Sequence, residues 1–246
     1  MSVANGLGDP PVLTALAARG AERGVRGRAS ARLSSLVHAQ IKERLLEGVY
    51  PPGQRLSAAE LGTEFGVSKQ PTMEALRLLS ADGLVTIIPQ VGCEVATYKP
   101  QEIEDFFTLF AGMEGTIAGL AATRRTEAGL RELDTISARI GQLTDETDPA
   151  TRSHGYRTLN RQFHAQIHTL ARSAVVTEVS QRMWDLSDFL INTSGIDLPL
   201  HTALEDRHND HEVIRRALWE RDAATARTEM ERQVLGTLEI MDRPAP

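Results

Sequence analysis

Cysteine occurs once in the 246 residues, at Cys93, which excludes an intrachain disulfide framework and suits a reducing cytoplasm. No apolar run approaches the roughly 18 residues that would suggest a bilayer-spanning helix, so no membrane span is expected. The arginines near the N-terminus lead into no apolar segment with a cleavage site, so no signal peptide is expected either. Two enzymatic signatures are missing as well, a glycine-rich phosphate loop and a nucleophile elbow. One zincin-like spacing exists, His164-Ala165-Gln166-Ile167-His168, but alanine stands where a metallohydrolase needs its general-base glutamate. A non-enzyme is therefore expected, with a metallohydrolase the weaker alternative.

What is present divides the chain in two. The formal net charge is −6, which looks wrong for a nucleic-acid binder until the charges are located. Residues 1–100 carry 11 Lys+Arg against 9 Asp+Glu, and residues 101–246 carry 16 against 24. An acidic second half does not forbid a locally basic face in the first. At 41% hydrophobic and 24% charged, the chain has the composition of a globular protein with room for two domains.

Residues 1–32 are rich in Gly, Ala and Arg and read as a flexible basic arm. Its arginines, Arg19, Arg23, Arg26, Arg28 and Arg32, either track phosphates or are simply solvated. Ser34 or Ser35 is then expected to cap a helix carrying Leu36, Val37, Ile41, Leu45 and Leu46. The stretch from Leu56 to Val95 is the most informative. Ser57 is a candidate N-cap for a short helix with Leu61 and Phe65 on one face. Gly66-Val67-Ser68 is a tight turn, with Gly66 ending one helix and Ser68 starting the next. Pro71 falls in the first turn of that second helix, where its missing N–H costs little. The helix turns Ala75, Leu76 and Leu79 inward and ends near Asp82-Gly83. Two extended pieces follow, Leu84–Ile88 and Cys93–Ala96, joined at Pro89 to Gly92. Helix, glycine turn, helix and hairpin describe a winged helix-turn-helix over residues 33–97.

Gly48, Pro52-Gly53, Leu56, Glu60-Leu61, Gly66-Val67-Ser68, Pro71, Glu74-Ala75-Leu76, Leu79, Gly83-Leu84-Val85, Pro89 and Gly92 follow the pattern of GntR-type bacterial transcriptional regulators, which this stretch resembles. The resemblance implies DNA contacts from Arg55, Ser68, Lys69, Gln70, Thr72 and Arg77 and from the wing at Gln90 and Gly92. It also marks departures. The family's second helix opens on a Ser-Arg-Thr-Pro-Val-Arg-Glu-Ala-Leu-like pattern, whereas here Lys69 and Met73 replace the two arginines. Lysine keeps the charge without the guanidinium fork that reads guanine, and methionine has no donor at all. Gln70 can pair with adenine, and Ala59 stands where some members have a further arginine.

After a linker at residues 98–100, helical periodicity runs from 101 to 241 in about six segments: 101–124, 126–144, 149–171, 174–193, 199–219 and 222–241. The expected fold is therefore mainly α, a winged helix-turn-helix followed by an antiparallel helical bundle of about six helices. Met113-Glu114 with Leu120-Ala121-Ala122, Asn160 with Phe163-His164, and Asp210-His211 with Ile214, Ala217-Leu218, Asp222 and Ala226 resemble the FCD effector domain. The resemblance implies the FadR-like subfamily, and six helices resemble its VanR-like group.

In that family metal-binding members use an Asp-x-x-x-His pair and two later histidines; the matching positions here are Asn160, His164, His211 and Gln233. The resemblance thus implies a divalent metal (Zn, Ni or Mn) on His164 and His211, bound weakly or not at all because an amide replaces the carboxylate and glutamine a histidine. Two readings stay open: a metal-free polar pocket, or a site repaired by His168 and His208, one turn from the other two histidines. Carboxylate-binding members often carry an arginine four residues before Glu114, where this chain has Phe110. The effector implied is therefore a small molecule other than a simple carboxylate, in a pocket of Phe110, Met113, Asn160, Phe163, His164, His211 and Gln233; a bundle core is the other reading of the aromatics. The function implied is a cytoplasmic, ligand-responsive homodimer on a palindrome-like duplex operator. The alternative is a helical ligand- or metal-binding protein whose DNA module has lapsed.

Overall fold

The computed structural model describes residues 23–89, 92–194 and 203–242, and the chain divides into two compact units at Thr97/Tyr98. In the first unit, α1 (Arg23–Leu46), β1 (Arg55–Leu56), α2 (Ala58–Glu64), α3 (Lys69–Ala81), β2 (Val85–Ile88) and β3 (Gly92–Val95) follow in order. The strands form an antiparallel sheet in the order β1-β3-β2, with Leu56 and Ile87 both paired to Cys93. Val37, Ile41 and Leu45 of α1 share a core with Leu61, Leu76, Leu79, Leu84 and Val95.

The turn between α2 and α3 is built by two glycines. Gly66 has φ +64°, a left-handed backbone that glycine adopts without a Cβ clash. A Cβ on Gly62 would lie 2.9 Å from the Val67 carbonyl oxygen, whose residue's own N–H donates to the Gly62 carbonyl. Ser57 caps α2 by accepting the Glu60 N–H at 3.3 Å.

The expected arm is shorter than residues 1–32, because α1 already runs from Arg23. Its Ala and Arg are strong helix formers that outweigh Gly24 and Gly27; residues 1–22, with Arg19, lie outside the described residues. Neither Ser34 nor Ser35 caps the helix. Both sit inside it, Ser34 Oγ donating to Glu74 and Ser35 Oγ to the Ala31 carbonyl.

The second unit holds α4 (Pro100–Arg124), α5 (Glu127–Gln142), α6 (Pro149–Ala171), α7 (Ala174–Asn192), α8 (Leu204–Glu220) and α9 (Ala223–Met241). Thr126, Asp148 and Asp222 cap α5, α6 and α9 by accepting backbone N–H groups. Helix α4 is the hub, packed against α6, α7, α8 and α9. By length and composition alone α4 could cross a membrane, but half of its apolar stretch is buried, with Phe107, Phe110, Ile117 and Ala121 in the core. The expected segment from 199 begins as helix at Leu204, and residues 199–202 lie outside the described residues.

Candidate nucleic-acid interface and buried polar cavity

Helix α3 buries Pro71, Thr72, Ala75, Leu76 and Leu79, a stripe that recurs every three to four residues and fixes which side faces out. Lys69, Gln70, Met73 and Arg77 occupy the opposite side. Ser68, Lys69, Gln70 and Arg77 are exposed and Met73 is half-buried. Thr72 does not belong with them. It is fully buried, and its hydroxyl donates to the Ser68 carbonyl at 3.2 Å, so it locks the helix-turn-helix instead of reaching a ligand.

Arg55 and Gly92 are exposed beside α3, Arg55 on β1 opposite Glu94 of β3. Gln90 lies outside the described residues. Together α3, the start of α2 and the sheet enclose a concave groove lined by Arg55, Ala59, Glu60, Lys69, Met73 and Ile88, among others. Cys93 lies at its floor. Burial, then the Glu94 charge, pushes the thiol up to about 11, so it stays protonated and unreactive.

The second unit contains a cavity of about 30 Å³, space for a water or two. Phe110 of α4, Asn160 and His164 of α6, Trp184 of α7, Arg207 of α8 and Gln233 of α9 contribute to its wall. Phe110, Asn160, His164 and Gln233 were expected there. Met113 is not among the lining residues, and Phe163 and His211 stand behind the wall. Phe163 is fully buried and stacks on His211 with ring centroids 4.1 Å apart, while His211 meets His164 edge-on at 5.5 Å.

Several buried polar atoms around this cavity make no hydrogen bond within the protein. They are both ring nitrogens of His211, Nδ1 of His164, Nε1 of Trp184 and Oε1 of Gln233. Buried polar groups are normally paired, and water in the cavity beside them has room to supply the missing partners. Burial, above all, holds His164 well below its ordinary range and pushes His211 down to about 3. Both imidazoles are neutral near pH 7.

The repaired histidine cluster does not form. His168 is drawn to Glu114, with its Nε2 2.9 Å from the carboxylate, and Ser180 donates to the same carboxylate at 2.5 Å. His208 packs toward α5, where a Cβ on Gly141 would lie 3.0 Å from its Nε2. Among the described residues no group of three or more His, Cys, Asp or Glu side chains is placed to hold a metal ion. Of the carboxylates nearby, Asp188 in the cavity wall is held by Arg161 at 2.7 Å, and Glu114, 3.9 Å from His164 Nδ1, is engaged by His168 and Ser180, so the donors left without a counter-charge are neutral imidazoles and amides beside the Arg207 guanidinium. That set does not fit a divalent cation, which favours anionic ligands.

Arg207 is a charged residue of the cavity wall that the sequence pattern did not single out. Four residues before Glu114 stands Phe110, whereas this arginine lies four residues before His211, on one face of α8. Its Nη1 donates to the Gln233 carbonyl and lies 3.9 Å from Asp210. Behind Trp184, Arg161 clasps Asp185 and Asp188 at 2.8 and 2.7 Å.

Comparison with known proteins gives concordant matches. A family model described as bacterial regulatory proteins, gntR family, matches residues 33–95, and the FCD domain matches residues 105–235. The HTH-type transcriptional repressor GlaR of Escherichia coli is 26% identical over 209 residues, covering 82% of this chain and 93% of that protein. The Exu regulon transcriptional regulator of the same species is 25% identical over 221 residues, covering 81% and 80%. Among solved structures, E. coli McbR/YncC aligns with a TM-score of 0.67 at 19% identity, covering 85% of this chain and 96% of that one.

Proposed function

The chain belongs to the gntR family of bacterial regulatory proteins and carries an FCD domain, and from that premise we propose that it binds a palindrome-like operator as a homodimer, under control of a small molecule held in the helical bundle. The observation that carries this reading is the exposed start of α3, where Ser68, Lys69 and Gln70 project from a helix locked on its other side. A helix so placed enters the major groove, and a dimer of such heads reads two half-sites. Arg55 and Arg77 are suited to phosphates beside it, with Gly92 in the wing. Leu109, Val175 and Val179 are large apolar side chains exposed on α4 and α7, which supports a second copy as partner. A regulator of transcription works where the DNA is, in the cytoplasm.

The ligand site is the polar cavity, and the ligand it suits is small, with an acceptor for Trp184 N–H and Arg207 and a donor for Gln233 Oε1. It is read as metal-free. Two grounds stand against an acidic effector, the missing arginine near Phe110 and the missing metal; Arg207 answers the first by supplying a cation at the cavity, and the second stands. The present volume admits little more than water, so ligand and operator are coupled through a rearranged bundle, each changing the other's affinity by the same factor.

Duplexes selected from a random pool by the full-length chain test the reading. Enrichment of an inverted repeat, weakened or strengthened by a molecule whose effect is lost in Trp184→Phe, supports it. Failure to enrich any duplex overturns it.

A further inference from the structure

The groove beside α3 is apolar where a base edge would lie. Ala59 at the start of α2 is exposed, Met73 is half-buried in the middle of α3's outer face, and Ile87, Ile88 and Pro89 of the wing arm line the same concavity. Cations stand around this patch, Lys69 one turn before Met73 and Arg55 on the adjoining strand, both exposed. Carboxylates stand in it as well, since Glu60 and Glu94 line the groove. A phosphate seated there would meet those two charges, so the backbone belongs with the exposed cations and the floor is left for bases.

Of the groups that duplex DNA presents in its major groove, one is apolar, the C5-methyl of thymine, and apolar side chains are its natural contacts. We infer that Met73, seconded by Ala59, reads thymine methyl groups in each operator half-site. This rests on the DNA-reading role proposed above and adds to it the base and the atom. Lys69 and Gln70, one turn earlier, supply the polar contacts, and Met73 supplies shape without a hydrogen bond. Methionine suits the task because its unbranched, polarisable side chain fills irregular apolar surfaces.

The test uses the full-length chain and its selected operator, with deoxyuridine replacing thymine one position at a time. That exchange removes the methyl and keeps every hydrogen-bonding group. At one or two positions per half-site, affinity is expected to fall about fourfold, the equivalent of one buried methyl. In Met73→Ala the thymine and deoxyuridine duplexes should bind alike at those positions, whereas Arg77→Ala should weaken both and keep their ratio. Because the readout is a ratio within one protein, a partly unfolded variant does not distort it. Equal affinity for the two duplexes in the native chain, or a ratio that persists in Met73→Ala, overturns the inference. If Lys69→Ala still weakens operator binding in that case, the regulator reading stands and this inference alone falls. If no duplex is enriched at all, both fall.

Discussion

His168 places its Nε2 2.9 Å from the Glu114 carboxylate inside the bundle, where the glutamate is fully buried and the histidine nearly so. Ser180 donates to the same carboxylate at 2.5 Å, so one acidic group ties α4, α6 and α7 together. The contact also takes His168 out of the pool of metal ligands. Leaving a buried partner uncompensated costs about 3–5 kcal/mol for a charge pair and about 1–3 kcal/mol for a hydrogen-bonding group. Glu114→Ala should therefore lower unfolding stability by about 3 kcal/mol and Ser180→Ala by about 1 kcal/mol. Denaturant midpoints at constant m-value measure both, and a Glu114→Ala protein as stable as the native chain would contradict the assignment.

The cavity is expected to take no stoichiometric zinc, nickel or manganese. Calorimetric titration of the metal-stripped chain should show no saturable uptake, and a chelator should leave its melting temperature unchanged. Asn160→Asp combined with Gln233→His restores an anionic ligand and a third imidazole beside His164 and His211, and should create uptake. Tight binding by the native chain that disappears in His164→Ala would contradict the metal-free reading.

Acid should destabilise the bundle through its neutral histidines. His211 is pushed down to about 3 and His164 well below its ordinary value, burial being the largest cause for each. A histidine whose folded pKa is depressed binds fewer protons folded than unfolded, so stability is retained above about pH 6.5 and declines as pH falls below it. The loss for each is at most about 1.4 kcal/mol per pH unit, and for His211 it continues down to its folded pKa. Unfolding curves between pH 7 and pH 4 check this, and His211→Gln should give a shallower decline than the native chain. Identical slopes would show that His211 is not the group responsible.

Gly62 should not tolerate a side chain. The 2.9 Å approach of its would-be Cβ to the Val67 carbonyl is to backbone, which cannot move aside without opening the turn. Gly62→Ala is expected to cost on the order of 1–3 kcal/mol in the first unit, in the range typical of overpacking, and to reduce operator binding with it. Amide exchange of α2 and α3 is the direct readout.

Much of this architecture was legible before any coordinates. Gly66, Pro71 and Gly83 punctuate the two helices of the reading head, and six periodic segments became α4 to α9 with boundaries shifted by a few residues. The misses have particular causes. Thr72 looked available from its place near the helix start, but the spacing of Ala75, Leu76 and Leu79 puts it on the buried stripe. His168 shares a helix face with His164, and nothing local shows that Glu114, 54 residues away, captures it. Arg207 stands one turn before His211 on α8, a spacing visible in the sequence, but nothing local shows that the two helices α8 and α9 bring it to the same cavity as Asn160 and His164. Residues 23–32 share the Gly, Ala and Arg composition of the segment before them, so composition does not show that α1 begins at Arg23.

The measurement closest to the centre of the account is the affinity of the full-length chain for its selected duplex, with and without Lys69→Ala, by fluorescence anisotropy at fixed salt. Lys69 is exposed at the first turn of α3, so its loss should leave the fold intact. It should weaken binding by about 1–3 kcal/mol if it reaches a base edge. Unchanged affinity in a folded Lys69→Ala and in Gln70→Ala alike would contradict a reading face at the start of this helix, and with it the proposed mode of regulation.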